Sequence, residues 1–282
     1  MTSGVAAVPL PPLIDGEQLP ALLERPDVRL LDVRWALDGS KGEHTYLEGH
    51  LPGAVYIDLP TQLAALARPA AGRHPLPEPE DFAAVLRAAG ISTHTTVIAY
   101  DDTDGSQAAR LVWMLRALGQ DAALLSGGMA AWDGPLETGP VQVEPGDVPA
   151  RAWPAERIAS ADDVAAGKAL VIDARAPERY RGESEPMDPR AGHVPGAINL
   201  PFTGNTDEQG RFWPAPRLRE RFIAAGVPED GEVIVYCGSG VTATHNLLAL
   251  EAAGFQPPRL FPGSWSQWSA DPDRPVATGP NP

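Results

Sequence analysis

The residue with the most chemistry to offer is Cys237, the only cysteine in a chain of 282 residues. Alone, it can form no internal disulfide and no thiolate zinc site. The apolar run 233–236 precedes it, and Gly238-Ser239-Gly240-Val241-Thr242 follows, leading into a helical stretch that reaches Ala253. The thiol therefore belongs to a strand-to-helix turn, where parallel α/β sheets place their ligands. Two glycines let the backbone bend around the sulfur and aim its N–H groups inward. The start of the helix adds partial positive charge. Both effects favour the thiolate, the nucleophilic form of cysteine. A cysteine kept only for packing belongs inside the strand, not in a Gly-Ser-Gly turn.

The elements that must hold this turn are written twice. Leu31-Asp32-Val33-Arg34 returns as Ile172-Asp173-Ala174-Arg175, and Gly49-His50-Leu51-Pro52-Gly53-Ala54 returns as Gly192-His193-Val194-Pro195-Gly196-Ala197. Val97-Ile98-Ala99-Tyr100 returns as Val233-Ile234-Val235-Tyr236. A period near 140 residues is a domain, not a solenoid repeat. The expected units are residues 1–138, a Gly- and Pro-rich linker at 139–155, and residues 156–282. Within each unit short apolar runs (30–33, 97–100, 170–173, 233–236) alternate with helical patterns. Phe82, Val85, Leu86 and Ala89 share one helical face, and Leu111, Val112, Leu115 and Leu118 share another, with Ser106 as its expected N-cap. The fold class is α/β, a parallel sheet in each domain with helices on both faces. The first-domain counterpart of Cys237 is Asp101, so only the second domain carries a thiol at this turn.

Composition narrows the partners. The net charge of −15 disfavours nucleic acid and anionic membranes. Any anion site must be local, made from basic side chains and backbone N–H groups. The start, MTSGVAAVPLPP, has no basic residue before its apolar stretch and is broken by prolines, so it does not read as a leader. No run of about 18 apolar residues reads as a membrane span. A cytoplasmic location is expected, where a free thiol survives.

The run Cys237-Gly238-Ser239-Gly240-Val241-Thr242-Ala243 resembles the active-site loop of tandem-domain rhodanese-type sulfurtransferases, in the form found in those that use 3-mercaptopyruvate. Both Gly-His-x-Pro-Gly-Ala segments, the Asp-x-Arg strand ends and the Gly263-Ser264-Trp265 turn carry the same resemblance. It implies two rhodanese-like domains and transfer of a sulfane sulfur through a Cys237 persulfide. It further implies no metal and no organic cofactor. The partners would be a small anionic sulfur donor (mercaptopyruvate, with thiosulfate as the alternative) and an acceptor that is a thiol, cyanide or a thioredoxin-like dithiol. Gly238 and Ser239 stand where thiosulfate-specific members carry basic residues.

By the same resemblance, Gly238, Gly240, Val241 and Thr242 form the substrate-side loop, and Arg179 binds the donor anion. Ser239, His74 and Asp58 match a Ser–His–Asp grouping that assists the donor. Mercaptopyruvate members carry a second arginine in a Glu-Pro-Arg context. Here that stretch is Glu185-Pro186-Met187, with Arg190 three residues on as the candidate substitute. Arg175, on the strand end itself, is expected in a structural ion pair. His50 and His193 belong to repeated turns and are expected to serve folding. A Cdc25-type phosphatase, which shares this fold, would need Arg six positions after the cysteine, and that residue is Ala243. A non-enzymatic sulfur relay would use the same thiol chemistry.

Overall fold

The computed structural model describes residues 9–282. Most of the N-terminal stretch read above for a leader lies outside the described residues. Among the described residues nine strands are assigned: β1 Leu13–Ile14, β2 Val28–Asp32, β3 Val55–Tyr56, β4 Thr96–Tyr100, β5 Ala122–Leu125, β6 Leu170–Asp173, β7 Ile198–Asn199, β8 Val233–Tyr236 and β9 Arg259–Leu260. They form two sheets, ordered β1-β5-β4-β2-β3 and β7-β6-β8-β9. Every pairing between strands is parallel. A single parallel bridge from Ile158 to Leu260 stands where β1 stands in the first sheet. No helix or strand occupies 140–154. Among the described residues no helix is long and apolar enough to cross a membrane.

Side chains alternate across the sheets, as the two-residue period of a strand requires. Val97, Ala99, Val233 and Val235 point into one large core that runs through both domains. Ile98 and Tyr100 point to a smaller core of the first domain, and Ile234 and Tyr236 to a smaller core of the second. Strands apolar on both faces are those of a sheet covered on both sides.

The shared core is built on the helices Ala108–Ala117 and Ala243–Ala252. The second of these is buried along 243–250 and apolar on almost every side, as a central helix must be. Its polar residues are paired: Thr244 donates to the Val241 carbonyl, Asn246 to the Leu200 carbonyl, and Asn205 to both Asn246 and His245. Burying Leu247, Leu248 and Leu250 contributes about 1.5–3 kcal/mol each. This continuous core presses the two domains together along the side where the cysteine turn emerges.

Ser106 is not the cap expected of it. The helix begins at Ala108, and no side chain at its cap position bonds to it. Asp101 does that work from a distance: one of its oxygens accepts from the backbone N–H groups of Gln107 and Ala108. The other accepts from those of Thr103 and Gly105. The counterpart of the cysteine is thus a buried carboxylate wrapped by four peptide amides.

Candidate active site

The second copy of that turn holds Cys237 at the end of β8. Its Sγ accepts a hydrogen bond from the Gly240 N–H at 3.1 Å. Gly240 has φ +78, and a Cβ there would lie 2.4 Å from the Pro262 carbonyl oxygen, so both the bend and the close approach require glycine. The turn rests on the segment after β9. Ser264 Oγ accepts from the Cys237 N–H at 3.1 Å, the Trp265 N–H donates to the Cys237 carbonyl, and the Ser266 N–H to that of Gly238. Ser264 sits at φ +52, the one non-glycine residue with positive φ among the described residues. Strain of this kind persists where surrounding structure over-determines it, and here the Ser264 hydroxyl is tied to Phe261 and Cys237 together.

Although only 1% exposed, Cys237 lines a cavity of about 290 Å³ between the domains. Its wall includes Gly238, Ser239, Val241, Thr242, Arg175 and Arg179 from the second domain. Trp35, Arg73, His74 and Gln107 come from the first. The segment bearing Arg73 and His74 reaches the second domain through Gly72. At φ +88, a Cβ on Gly72 would fall 2.5 Å from the Gly263 carbonyl oxygen. The Arg73 N–H then donates to Ser266 Oγ at 3.1 Å, and Gln267 donates to the Ala70 carbonyl.

His74 Nδ1 lies 2.9 Å from Ser239 Oγ, and its ring meets Trp35 edge-on. Burial, helped by the charges of Arg110 and Arg73, pushes His74 down to about 4, so the imidazole is neutral at pH 7 and can accept as well as donate a proton. Arg179 donates through Nη2 to Glu185 at 2.7 Å and to Asp188 at 3.4 Å. Arg175 is held by Asp173 and Glu185 and by the Gly192 carbonyl, as an ion pair expected of a strand end. Arg34 repeats this in the first domain with Asp32 and the Gly49 carbonyl.

Comparison with known proteins identifies the family. The rhodanese-like domain matches residues 15–134 and again 158–271. The chain belongs to the rhodanese-like family. A probable 3-mercaptopyruvate sulfurtransferase of Pseudomonas aeruginosa is 47% identical over 280 residues, covering 95% of this chain and 98% of that one. A putative thiosulfate sulfurtransferase of Mycobacterium tuberculosis is 41% identical, covering 95% and 97%. The crystal structure of the 3-mercaptopyruvate sulfurtransferase SseA from Escherichia coli superposes with a TM-score of 0.80 at 34% identity, covering 91% of this chain and 99% of that one.

Within this rhodanese-like frame the structure brings together Cys237, Gly238, Ser239, Val241, Thr242, Arg179 and His74 around one cavity, with the Gly240 N–H on the sulfur. Two expected site residues are not brought to it. Arg190 is absent from the cavity wall, because its guanidinium is spent on the carbonyls of Trp268, Ser269, Asp271 and Arg274, where it ties down the end of the helix Ser264–Ala270. Asp58 makes no hydrogen bond to His74 among the described residues. Its carboxylate caps the helix Leu59–Gln62 through the Thr61 N–H and hydroxyl and accepts from the Tyr56 hydroxyl. His50 and His193 are buried, stacked on Tyr46 and Tyr180, away from the cavity wall.

Three residues were given no role at the site by the sequence reading. Arg73 stands in the cavity wall beside His74. Ser264 anchors the cysteine backbone. Arg110 is fully buried and meets no carboxylate within ion-pair distance among the described residues. It donates to the carbonyls of Gly240, Leu63, His74 and Pro75, so it joins the cysteine turn to the His74 segment. Burial lowers Arg110 to about 10, and its electrostatic attraction to Cys237 opposes this. The available signals were slight: an arginine inside the apolar helix stretch Ala-Ala-Arg-Leu-Val-Trp, and an arginine adjoining His74.

Proposed function

We propose that this chain is a 3-mercaptopyruvate sulfurtransferase that carries the sulfur as a persulfide on Cys237. The reading rests on a thiol held by a peptide amide at the floor of a cavity that also presents arginine forks and a neutral Ser239–His74 pair. In the first step the Cys237 thiolate attacks the donor sulfur and an S–S bond forms. The C–S electron pair departs into the adjoining ketone as an enolate, and a proton converts that to pyruvate. The Arg179 fork suits the donor carboxylate. The Ser239 hydroxyl, relayed through neutral His74, is positioned to handle protons on the donor. In the second step an acceptor thiolate, cyanide or a thioredoxin-like dithiol attacks the outer sulfur, and Cys237 leaves as the thiolate. Amides of the Gly238–Thr242 turn stabilise negative sulfur in both steps.

In this reading residues 1–138 are a non-catalytic domain whose loop carries Asp101, 139–155 are the linker, and 156–282 are the catalytic domain. A free thiol supports a reducing, cytoplasmic setting. The donor is inferred from Gly238 and Ser239 standing beside the thiol without a basic residue, and from the relatives named for mercaptopyruvate. Steady-state kinetics with mercaptopyruvate and thiosulfate against one common acceptor tests it. A larger kcat/KM for mercaptopyruvate is expected. A larger value for thiosulfate would make the chain a thiosulfate sulfurtransferase, as the mycobacterial relative is named. Persulfide formation without turnover on any small acceptor would make it a protein-to-protein sulfur relay.

A further inference from the structure

Two guanidinium groups, one from each domain, converge on the cysteine turn. Arg179 Nη1 and Arg73 Nη2 each lie 3.2 Å from the point where a side-chain carbon on Gly238 would sit. Neither of these nitrogens donates to any acceptor among the described residues. The hydrogen bonds of the two forks are made from their other ends: Arg73 Nη1 to Asp188, and Arg179 Nη2 to Glu185 and Asp188. Asp188 thus touches both guanidinium groups from behind, one oxygen to each, and fixes their spacing. Both side chains are mostly buried, at 26% and 20% exposure. The buried atoms left without a partner are the Nε of each arginine, while both side chains line the cavity, where a ligand can take the two unpaired Nη donors.

The second arginine implied by resemblance is missing from the second domain. Met187 stands in its place in the cavity wall, and Arg190 is occupied elsewhere. We infer that Arg73, delivered by the non-catalytic domain, is the second half of a two-arginine clamp that grips the donor's carboxylate together with Arg179. Each carboxylate oxygen accepts from one fork, and Asp188 holds the forks apart at the distance the two oxygens require. The inference rests on the carboxylate-donor reading above. It also gives the first domain a direct part in substrate binding, because the clamp exists only when the His74 segment is docked on the turn at Gly263.

The test uses the full-length enzyme and three variants. Arg73→Gln is expected to raise KM for mercaptopyruvate by roughly 10- to 100-fold, the loss of one set of charge-assisted hydrogen bonds, with kcat changed far less. Pyruvate, which keeps the carboxylate and ketone without the sulfur, should weaken as a competitive inhibitor by a similar factor. Arg73→Lys keeps a cation for Asp188 but loses the second free N–H, so most of the rise in KM should remain. Adding Met187→Arg to Arg73→Gln should recover much of the lost affinity, and no recovery would overturn the equivalence of Arg73 with the missing arginine. An unchanged KM in Arg73→Gln, or a wild-type KM in Arg73→Lys, would overturn the clamp and leave Arg73 a structural partner of Asp188. A wild-type preference for thiosulfate would instead sink the donor reading alone. Inhibition by pyruvate, measured against thiosulfate, would still report the clamp.

Discussion

His74 is neutral at physiological pH because it is buried beside two arginines, and that has a measurable cost in acid. Its ring is pushed from 6.5 down to about 4, chiefly by burial and then by Arg110 and Arg73. As pH falls, the unfolded chain takes up the proton first, so the stability tied to neutral His74 is complete above 6.5. It erodes as pH drops toward the folded value. A gap of that size corresponds to about 3 kcal/mol, a large share of a stability of roughly 5–15 kcal/mol. Urea unfolding at several pH values, for wild type and His74→Gln, reads this directly. The wild type should lose about 3 kcal/mol more than the variant between neutral pH and about pH 4. Titration of the His74 ring by NMR should show a midpoint well below that of a free histidine, and the rate of sulfur transfer should show no limb from His74 near pH 6.5. A ring that titrates between about pH 6 and 7, with activity falling at the same midpoint, would refute both the burial argument and the neutral Ser239–His74 pair.

Other outcomes follow from single contacts. Arg179→Ala should lower kcat/KM for the donor by roughly 10- to 100-fold, matching about 1.5–3 kcal/mol of charge-assisted hydrogen bonding, and unchanged kinetics would remove Arg179 from the donor site. Gly72→Ala places a carbon against the Gly263 carbonyl at a left-handed φ, so it should displace Arg73 and His74 and cut activity about tenfold or more while both domains stay folded by circular dichroism. Arg110→Met strips the bonds to four carbonyls and should destabilise by about 2–4 kcal/mol in urea. An unfolding free energy equal to that of the wild type would exclude that bridging role.

The architecture was legible because the duplication repeats whole physical devices. Asp32 with Arg34, and Asp173 with Arg175, form the same buried pair, each arginine closing on the carbonyl of the glycine before the repeated histidine. The cysteine turn was legible because glycines after a strand mark a bend: Gly240 takes a left-handed φ against the Pro262 carbonyl, and Gly238 leaves room for the two arginine forks. The two-residue strands β1, β3, β7 and β9 were not, since so short a run carries no periodicity. Arg190 and Asp58 were misdirected for a common reason. Position in the chain put them near the site, but nearby backbone groups, carbonyls for one and a helix N–H for the other, claimed their polar atoms. Arg73 and Arg110 were invisible because they act across the domain boundary, through a docking that depends on the Gly72–Gly263 approach and on helix packing in the shared core.

The central claim is that the sulfur in transit is covalently attached to one atom of this chain. Intact mass spectrometry after incubation with mercaptopyruvate and no acceptor tests it most directly. The account predicts a single added sulfur atom, located on the peptide containing Cys237, released when a thiol or cyanide is supplied, and absent in a folded Cys237→Ser variant. Turnover by the wild type with no added mass, or sulfur transfer surviving in Cys237→Ser, would contradict it.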